Sequence, residues 1–179
     1  RNVPTSSRAS SSWRASATTA ATRRCSAGNT RSTPAVGPWG SLRRAGFARA
    51  IRNLCGRGLR ERLFVVVQSY SRAGFFVRPS LQWALKRLGL DHADLLLLGM
   101  WNKPVSPRIL AAARACQERG LVKHLGVSTH QRPEVPTFAA AGSPFDVVHL
   151  RYNAAHRGAE QDCFPQLAPA PERAGTVAF

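Results

Sequence analysis

The chain has 179 residues, is 44% hydrophobic and carries a formal charge of +17. That length and apolar content suit one domain with a real core. No apolar run reaches the roughly 18 residues of a membrane span, so a membrane partner is not expected. The N-terminus has no apolar segment of the secretory type.

The charge is unevenly placed. Residues 1–60 hold 12 Arg and no acidic residue, and the first acid is Glu61. Basic residues are 23 Arg against 3 Lys, a bias that general electrostatic attraction does not require. Residues 1–40 are rich in Ser, Thr, Ala, Arg and Pro and almost free of large aliphatics. Such a segment buries too little apolar surface to offset its ordering entropy, so we expect disorder there. It reads as a basic arm for nucleic acid, or as a stretch with no selected structure. The scarcity of Lys and of interleaved aromatics favours the second and argues against nucleic acid as a partner. We divide the chain into a largely disordered segment, 1–60, and a folded segment, 61–179. Within the first, "LRRAGFARAIRNLCGRGLR" (42–60) has Phe47, Ile51 and Leu54 at helical spacing and is compatible with one basic helix.

The texture changes at Leu63. "LFVVV" (63–67) is continuously apolar and β-branched, the pattern of a strand buried on both faces. "VRPSLQWALKRLGL" (77–90) places Leu81, Leu85 and Leu88 on one helical face, with Gly89 as its stop. "DLLLL" (94–98) is a second buried strand. "SPRILAAARACQERG" (106–120) opens with Ser106 as N-cap and Pro107 at the first helical position, and ends at Gly120. "KHLGVS" (123–128) is a third strand, "RPEVPTFAAAG" (132–142) a short helix, and "DVVHL" (146–150) a fourth strand. "GAEQDCFPQLA" (158–168) supplies a helical turn or two, and "GTVAF" (175–179) a fifth strand.

Strand and helix alternate at a repeat of 20–30 residues, which predicts α/β architecture with parallel strands. No G-x-G-x-x-G follows the first strand, so a dinucleotide-binding doubly wound sheet lacks its fingerprint. The regular short units suit a (β/α)8 barrel. Cys25, Cys55, Cys116 and Cys163 are far apart and form no C-x-x-C, so no metal site is expected. They read as reduced thiols of a cytoplasmic protein.

Four stretches together carry a resemblance: "LQWALKRLGLDHADLLLLG", "ACQERGLVKHLGVSTH", "FDVVHLRYNAAHRGAE" and "RAGTVAF". In order and spacing they resemble motifs of the aldo-keto reductases, over about residues 61–179. The resemblance implies a partial (β/α)8 TIM barrel, strands three to seven of eight. It implies a lineage that uses NADPH to reduce aldehydes and ketones, with a small-molecule carbonyl compound as substrate. It implies cofactor-binding roles for Ser128, Thr129, His149 and Phe179. It also exposes two substitutions. Where the family's strands end in a catalytic Lys and His, this chain has Gln68 and Gly99. An amide carries no charge with which to shift a neighbour's pKa, and glycine has no side chain at all. The family's catalytic Asp and Tyr have no counterpart in residues 1–60. We therefore assign no catalytic residue, expect NADP binding to be weak or lost, and carry a pseudoenzyme that binds a partner or small molecule as the alternative. Oligomeric state is not legible. Outside the motif positions, Tyr70, His130, His156 and Trp101 fall in loops after strands, the end where barrel active sites form. The polar stretch "RYNAAHRGAE" (151–160) is the most site-like of these loops. His92 precedes the second strand and reads as a solvated turn residue, and His124 sits at the entry of the third strand, far from that end.

Overall fold

The computed structural model describes the backbone of residues 41–179 and the side chains from residue 46 onward. The segment 1–40, expected to be disordered or to act as a basic arm, lies outside the described residues.

Ten elements alternate along the chain: α1 (Ser41–Gly56), β1 (Val66–Ser69), α2 (Gly74–Leu88), β2 (Ala93–Leu98), α3 (Pro107–Glu118), β3 (Val122–Thr129), α4 (Val135–Ala139), β4 (Val147–Leu150), α5 (Ala159–Asp162) and β5 (Gly175–Ala178). The strands form one parallel sheet in the order β1-β2-β3-β4-β5. Every strand therefore lies beside its predecessor. A doubly wound sheet would reverse its strand order partway, so this is barrel-type winding and the fold is a partial barrel.

The local chemistry explains the helix ends. Ser106 Oγ accepts the Ile109 N–H at 3.4 Å, and Pro107 follows at the first helical position. Gly89 closes α2 in the left-handed conformation, φ 68°, which glycine takes without steric cost. Ser106→Ala is expected to destabilise the chain by about 1 kcal/mol in urea unfolding, because the first turn of α3 loses its cap.

Two differences from the expected elements have physical causes. The helix α2 begins at Gly74, ahead of the anticipated Val77, with Pro79 inside it. Gly74 packs against α3 so closely that a Cβ there would meet the Arg108 carbonyl oxygen at 2.8 Å. Strand β1 is displaced toward Ser69, and it is not buried on both faces. Val65, Val67 and Ser69 are buried, whereas Val66 and Gln68 are exposed. The unbroken apolar run hides an ordinary period of two. In front of β1, α1 forms the anticipated basic helix, with Ala48 and Ile51 buried.

The alternation sorts the sheet into two faces. Leu96, Leu98, Leu125, Val127, Val148 and Leu150 join the core beneath the helices. The opposite, concave face carries Leu95, Leu97, Ser128 and His149. There Gly126 makes room for its neighbours: a Cβ on it would lie 3.2 Å from the terminal carbons of Leu95 and Leu97. At the start of β2, Asp94 is 5% exposed, and both of its oxygens are paired. Oδ2 accepts the Val65 N–H at 2.8 Å and meets Arg60 at 3.0 Å, while Oδ1 meets Lys123 at 3.1 Å.

Candidate functional site

In a parallel β/α sheet the carboxyl ends of the strands are where loops converge and ligands bind. Here that end holds a cavity of about 440 Å³ on the concave face. Gln68 and Tyr70 line it from β1 and its loop, Ser128 and His130 from β3 and its loop, His149 from β4, and Phe179 from the residue after β5. Val66, Leu97 and Met100 supply apolar wall. Apolar walls with a few converging polar groups are the ordinary make-up of a small-molecule site. A larger groove of about 670 Å³ lies between β1 and α2, lined by Val67, Phe76, Leu81 and Trp83 among others. It follows the edge of β1 that no described strand pairs, and the strand-end polar groups of β3 and β4 do not reach it.

The register explains which residues meet. Ser128 pairs with His149, and His149 with Val177, so the two polar side chains stand side by side on adjacent strands. Ser128 is 4% exposed, and its Oγ accepts the Met100 N–H at 3.0 Å. The hydroxyl proton stays available to a ligand. Burial pushes the His149 imidazole down from its usual pKa, so it is neutral at neutral pH. Phe179 is 46% exposed, and the His130 ring meets it edge-on with centroids 5.6 Å apart.

Of the four residues the resemblance marked for cofactor binding, the structure brings Ser128, His149 and Phe179 to one cavity. Thr129 is not among its lining residues. It follows Ser128 in the same strand and so points to the opposite face, 1% exposed. Its hydroxyl bonds the Asn102 side chain and accepts the Gln131 N–H at 3.0 Å.

The loop residues divide too. Tyr70 and His130 line the cavity. Trp101 does not; it packs on the core with the Arg72 guanidinium 4.4 Å over its ring. The polar groups of 151–160 satisfy one another. Tyr152 donates to Glu160 at 2.6 Å, Arg157 pairs with Glu160 at 2.9 Å, and His156 is held by Arg151 and Asn153. The Tyr152 hydroxyl is accordingly held above its usual pKa by its bond to Glu160. This stretch is bonded largely within itself, and Asn153 Nδ2 also donates to the carbonyl of Phe179, a residue of the cavity, at 3.2 Å. Toward the other end of the strands, His124 Nδ1 lies 3.5 Å from Asp146, and His92 keeps a buried Nε2 without a partner. Among the described residues no group of three or more His, Cys, Asp or Glu converges in a way that would hold a metal.

The loop between β2 and α3 is held in an uncommon conformation. Met100 has φ 58°, rare for a side-chain-bearing residue. Arg72 Nη2 donates to the Gly99 and Met100 carbonyls at 3.0 and 2.9 Å, and the Trp101 N–H donates to the Ser128 carbonyl at 2.8 Å. Surroundings that over-determine an unfavourable backbone are common beside ligand sites. Val66, Leu97 and Met100 were missed as site residues by sequence reasoning, although the period of two from Gln68 and Gly99 points to the first two.

Comparison with known proteins places this geometry. The sequence profile of the aldo/keto reductase family matches residues 45–169. No curated protein matches the chain at a significant level. Among solved structures, the chain is similar to aldo-keto reductase AKR11C1 from Bacillus halodurans in its holo form, with 17% identity and a TM-score of 0.59, over 73% of this chain and 44% of that one. It is also similar to the aldo-keto reductase AKR2E5 of the silkworm Bombyx mori, with 23% identity and a TM-score of 0.49, over 61% of this chain and 38% of that one. A third similar structure is Bombyx mori AKR2E4 in complex with NADP, at 24% identity and a TM-score of 0.47, over 66% of this chain and 46% of that one. The chain thus spans less than half the length of each of these proteins. At 17% identity the likeness to AKR11C1 is one of fold.

Proposed function

The chain belongs to the aldo/keto reductase family, and on that premise we propose that its concave strand ends bind the nicotinamide end of NADP beside a small carbonyl compound, with reduction itself impaired. The convergence of Ser128, His149 and Phe179 on one cavity supports this reading. The Ser128 hydroxyl keeps a proton to donate to a carboxamide oxygen, since its oxygen is already occupied by the Met100 N–H. A neutral His149 offers one N–H and one lone pair, which suits an amide better than a phosphate. Phe179 presents a flat apolar face, steadied by His130. Thr129 serves at one remove, by holding Asn102.

Bound NADPH would supply a hydride. A carbonyl that accepts a hydride also needs a proton and a group to polarise its oxygen. Gln68 stands in the cavity as a neutral donor, and Gly99 supplies nothing. With Gln68 and Gly99 at those two strand ends, binding with impaired turnover is the favoured reading, and a pseudoenzyme that binds only a partner or small molecule is the second. A cytoplasmic location stays part of the proposal; among the described residues Cys55, Cys116 and Cys163 are free thiols. No helix among the described residues is long and apolar enough to cross a membrane.

The test is titration of the full chain with NADPH, followed by tryptophan fluorescence and calorimetry. Weak saturable binding, about millimolar, is expected, weakened about fivefold further by Ser128→Ala through loss of one hydrogen bond. Aldehyde turnover should stay at background. Absence of saturable binding sinks the cofactor reading, and NADPH-dependent aldehyde reduction sinks the claim of impairment.

A further inference from the structure

Strand β1 has one edge that no described strand pairs. Its main-chain groups divide between its two edges by alternate residues. The Val65 carbonyl accepts the Leu95 N–H at 3.1 Å, and the Ser69 carbonyl accepts the Gly99 N–H at 2.9 Å. Residues 65, 67 and 69 therefore turn their main chain toward β2, and Val66 and Gln68 turn theirs toward the open edge. A row of N–H and C=O groups at a sheet edge is a template for another strand.

Beside that edge lies the groove of about 670 Å³ between β1 and α2. One stripe of α2 walls it. Phe76, Ser80 and Trp83 line the groove, and Arg87 continues the same stripe with its guanidinium carbon 4.8 Å over the Trp83 ring. Phe76 is 56% and Trp83 50% exposed, and buried Leu81 and Val67 lie between the helix stripe and the strand. Exposed apolar side chains gathered in one place mark an interaction surface. Tyr70 stands where the groove meets the concave cavity. A Cβ on Gly99 would lie 2.7 Å from Tyr70 Cε1, so the ring rests against the residue after β2 and lines both spaces.

Charge selects the occupant. The groove's lining includes Arg72 and no acidic residue, in a chain of net charge +17. A second copy would bring the same charge, and residues 1–40 hold six Arg and no acid, so both are repelled. Nucleic acid matches the charge, yet it has no N–H and C=O groups at strand spacing with which to pair Val66 and Gln68. An extended acidic peptide matches both the charge and the edge.

We propose that an acidic segment of a partner protein docks here, adding to β1 as a further strand and setting one large apolar side chain against Phe76, Leu81 and Trp83. In such additions the main-chain bonds supply affinity and the pocket selects the side chain. The proposal does not rest on the cofactor reading, because the groove and the concave cavity share only Gln68 and Tyr70.

The test is fluorescence anisotropy of the fluorescein-labelled peptide DDVLVDD with the full chain. Saturable binding at roughly 10–100 μM is expected, weakening as salt rises. The peptide KKVLVKK should not bind. Trp83→Ala and Phe76→Ala should each weaken DDVLVDD about tenfold, and Arg87→Gln about twofold. Phe64→Ala removes an exposed ring outside the groove and should change nothing. The replaced groove rings are half in solvent, so circular dichroism should show the fold intact, and the comparison of the two peptides needs no variant. In the complex, amide hydrogen exchange should slow at Val66 and Gln68 and stay unchanged at Val67, which already faces β2. Failure of DDVLVDD to bind overturns the proposal. So does binding that both ring variants leave unchanged, which is general charge attraction, or binding without protection of Val66 and Gln68. A short oligothymidylate that displaces the peptide and is itself lost with Trp83→Ala gives the groove to nucleic acid. Self-association of the free chain that Trp83→Ala abolishes gives it to a second copy, and either result overturns the proposal.

Discussion

Asp94→Ala is expected to destabilise the chain by roughly 3–5 kcal/mol in denaturant unfolding, the cost of breaking a buried ion pair by removing one partner. The carboxylate joins β2 to two parts of the chain distant in sequence, residues 60–65 and Lys123. It takes the backbone N–H of Val65 just ahead of β1, the guanidinium of Arg60 before that strand, and the ammonium of Lys123 in β3. Arg60 also donates to the His92 and Leu63 carbonyls, so its charge stays in place when Asp94 is lost and is left without its counter-ion. Asp94→Asn keeps the shape and part of the hydrogen bonding and is expected to cost less than alanine.

The same residue sets an acid limb. Burial alone would raise the Asp94 pKa, but the Val65 N–H, Lys123 and Arg60 outweigh it and hold the carboxyl below its ordinary 3.8. A carboxyl depressed in the folded state contributes stability above the unfolded pKa and loses it as pH falls through the folded one. Wild type should therefore lose stability below about pH 4, and Asp94→Asn should show a shallower decline over that range. Parallel slopes for the two proteins would show that the carboxylate has no such role. The exposed Arg157–Glu160 pair is the comparison: it sits in solvent, its removal should change little, and salt should screen it.

How much of this was readable beforehand depends on the distance over which each feature is decided. The start of α3 is local chemistry, a Ser, a Pro and an apolar repeat within one turn, and it appears where expected. The stop at Gly89 is local too. The position of β1 is not. Five apolar residues in a row fit several registers, and only pairing of Val66 with Leu95 selects one. That Ser128, His149 and Phe179 line one cavity follows from their places at the ends of neighbouring strands, which short, ordered motifs mark. The exclusion of Thr129 was legible in principle, since a residue next to an inward Ser128 in a strand must face outward. The seat of Tyr70 on Gly99 was out of reach, because it joins two loops whose contact no periodicity encodes. The loop 151–160 looked like a site for the same reason. Its polar residues bond largely to one another, with Asn153 also tied to Phe179 of the cavity.

Leu96→Ala is expected to cost about 3–4 kcal/mol, and Leu97→Ala markedly less, although the two residues are adjacent, identical in type and both buried. The contrast tests the division of the sheet into faces. Leu96 is fully buried and belongs to the cluster beneath α2 and α3, with Val77, Leu81 and Ile109. Truncating it opens a void among groups fixed by two helices and the sheet, where little can move in to fill it. Leu97 belongs to the other face. It is 5% exposed, leans over Gly126 with Leu95, and lines the concave cavity. Removing its branched end enlarges a space that ligand or water already reaches, so the cavity part of the penalty falls away and mainly the transfer part remains, about 1–2 kcal/mol. Urea unfolding midpoints at constant slope measure the difference directly. Equal losses would mean that both faces are sealed core and that the concave cavity is not open as described. A larger loss at Leu97 would reverse the assignment of faces, and with it the placement of Gln68, Ser128 and His149 on one wall. In the leucine run, the stability of the fold and the shape of the site are read from alternate residues of one strand.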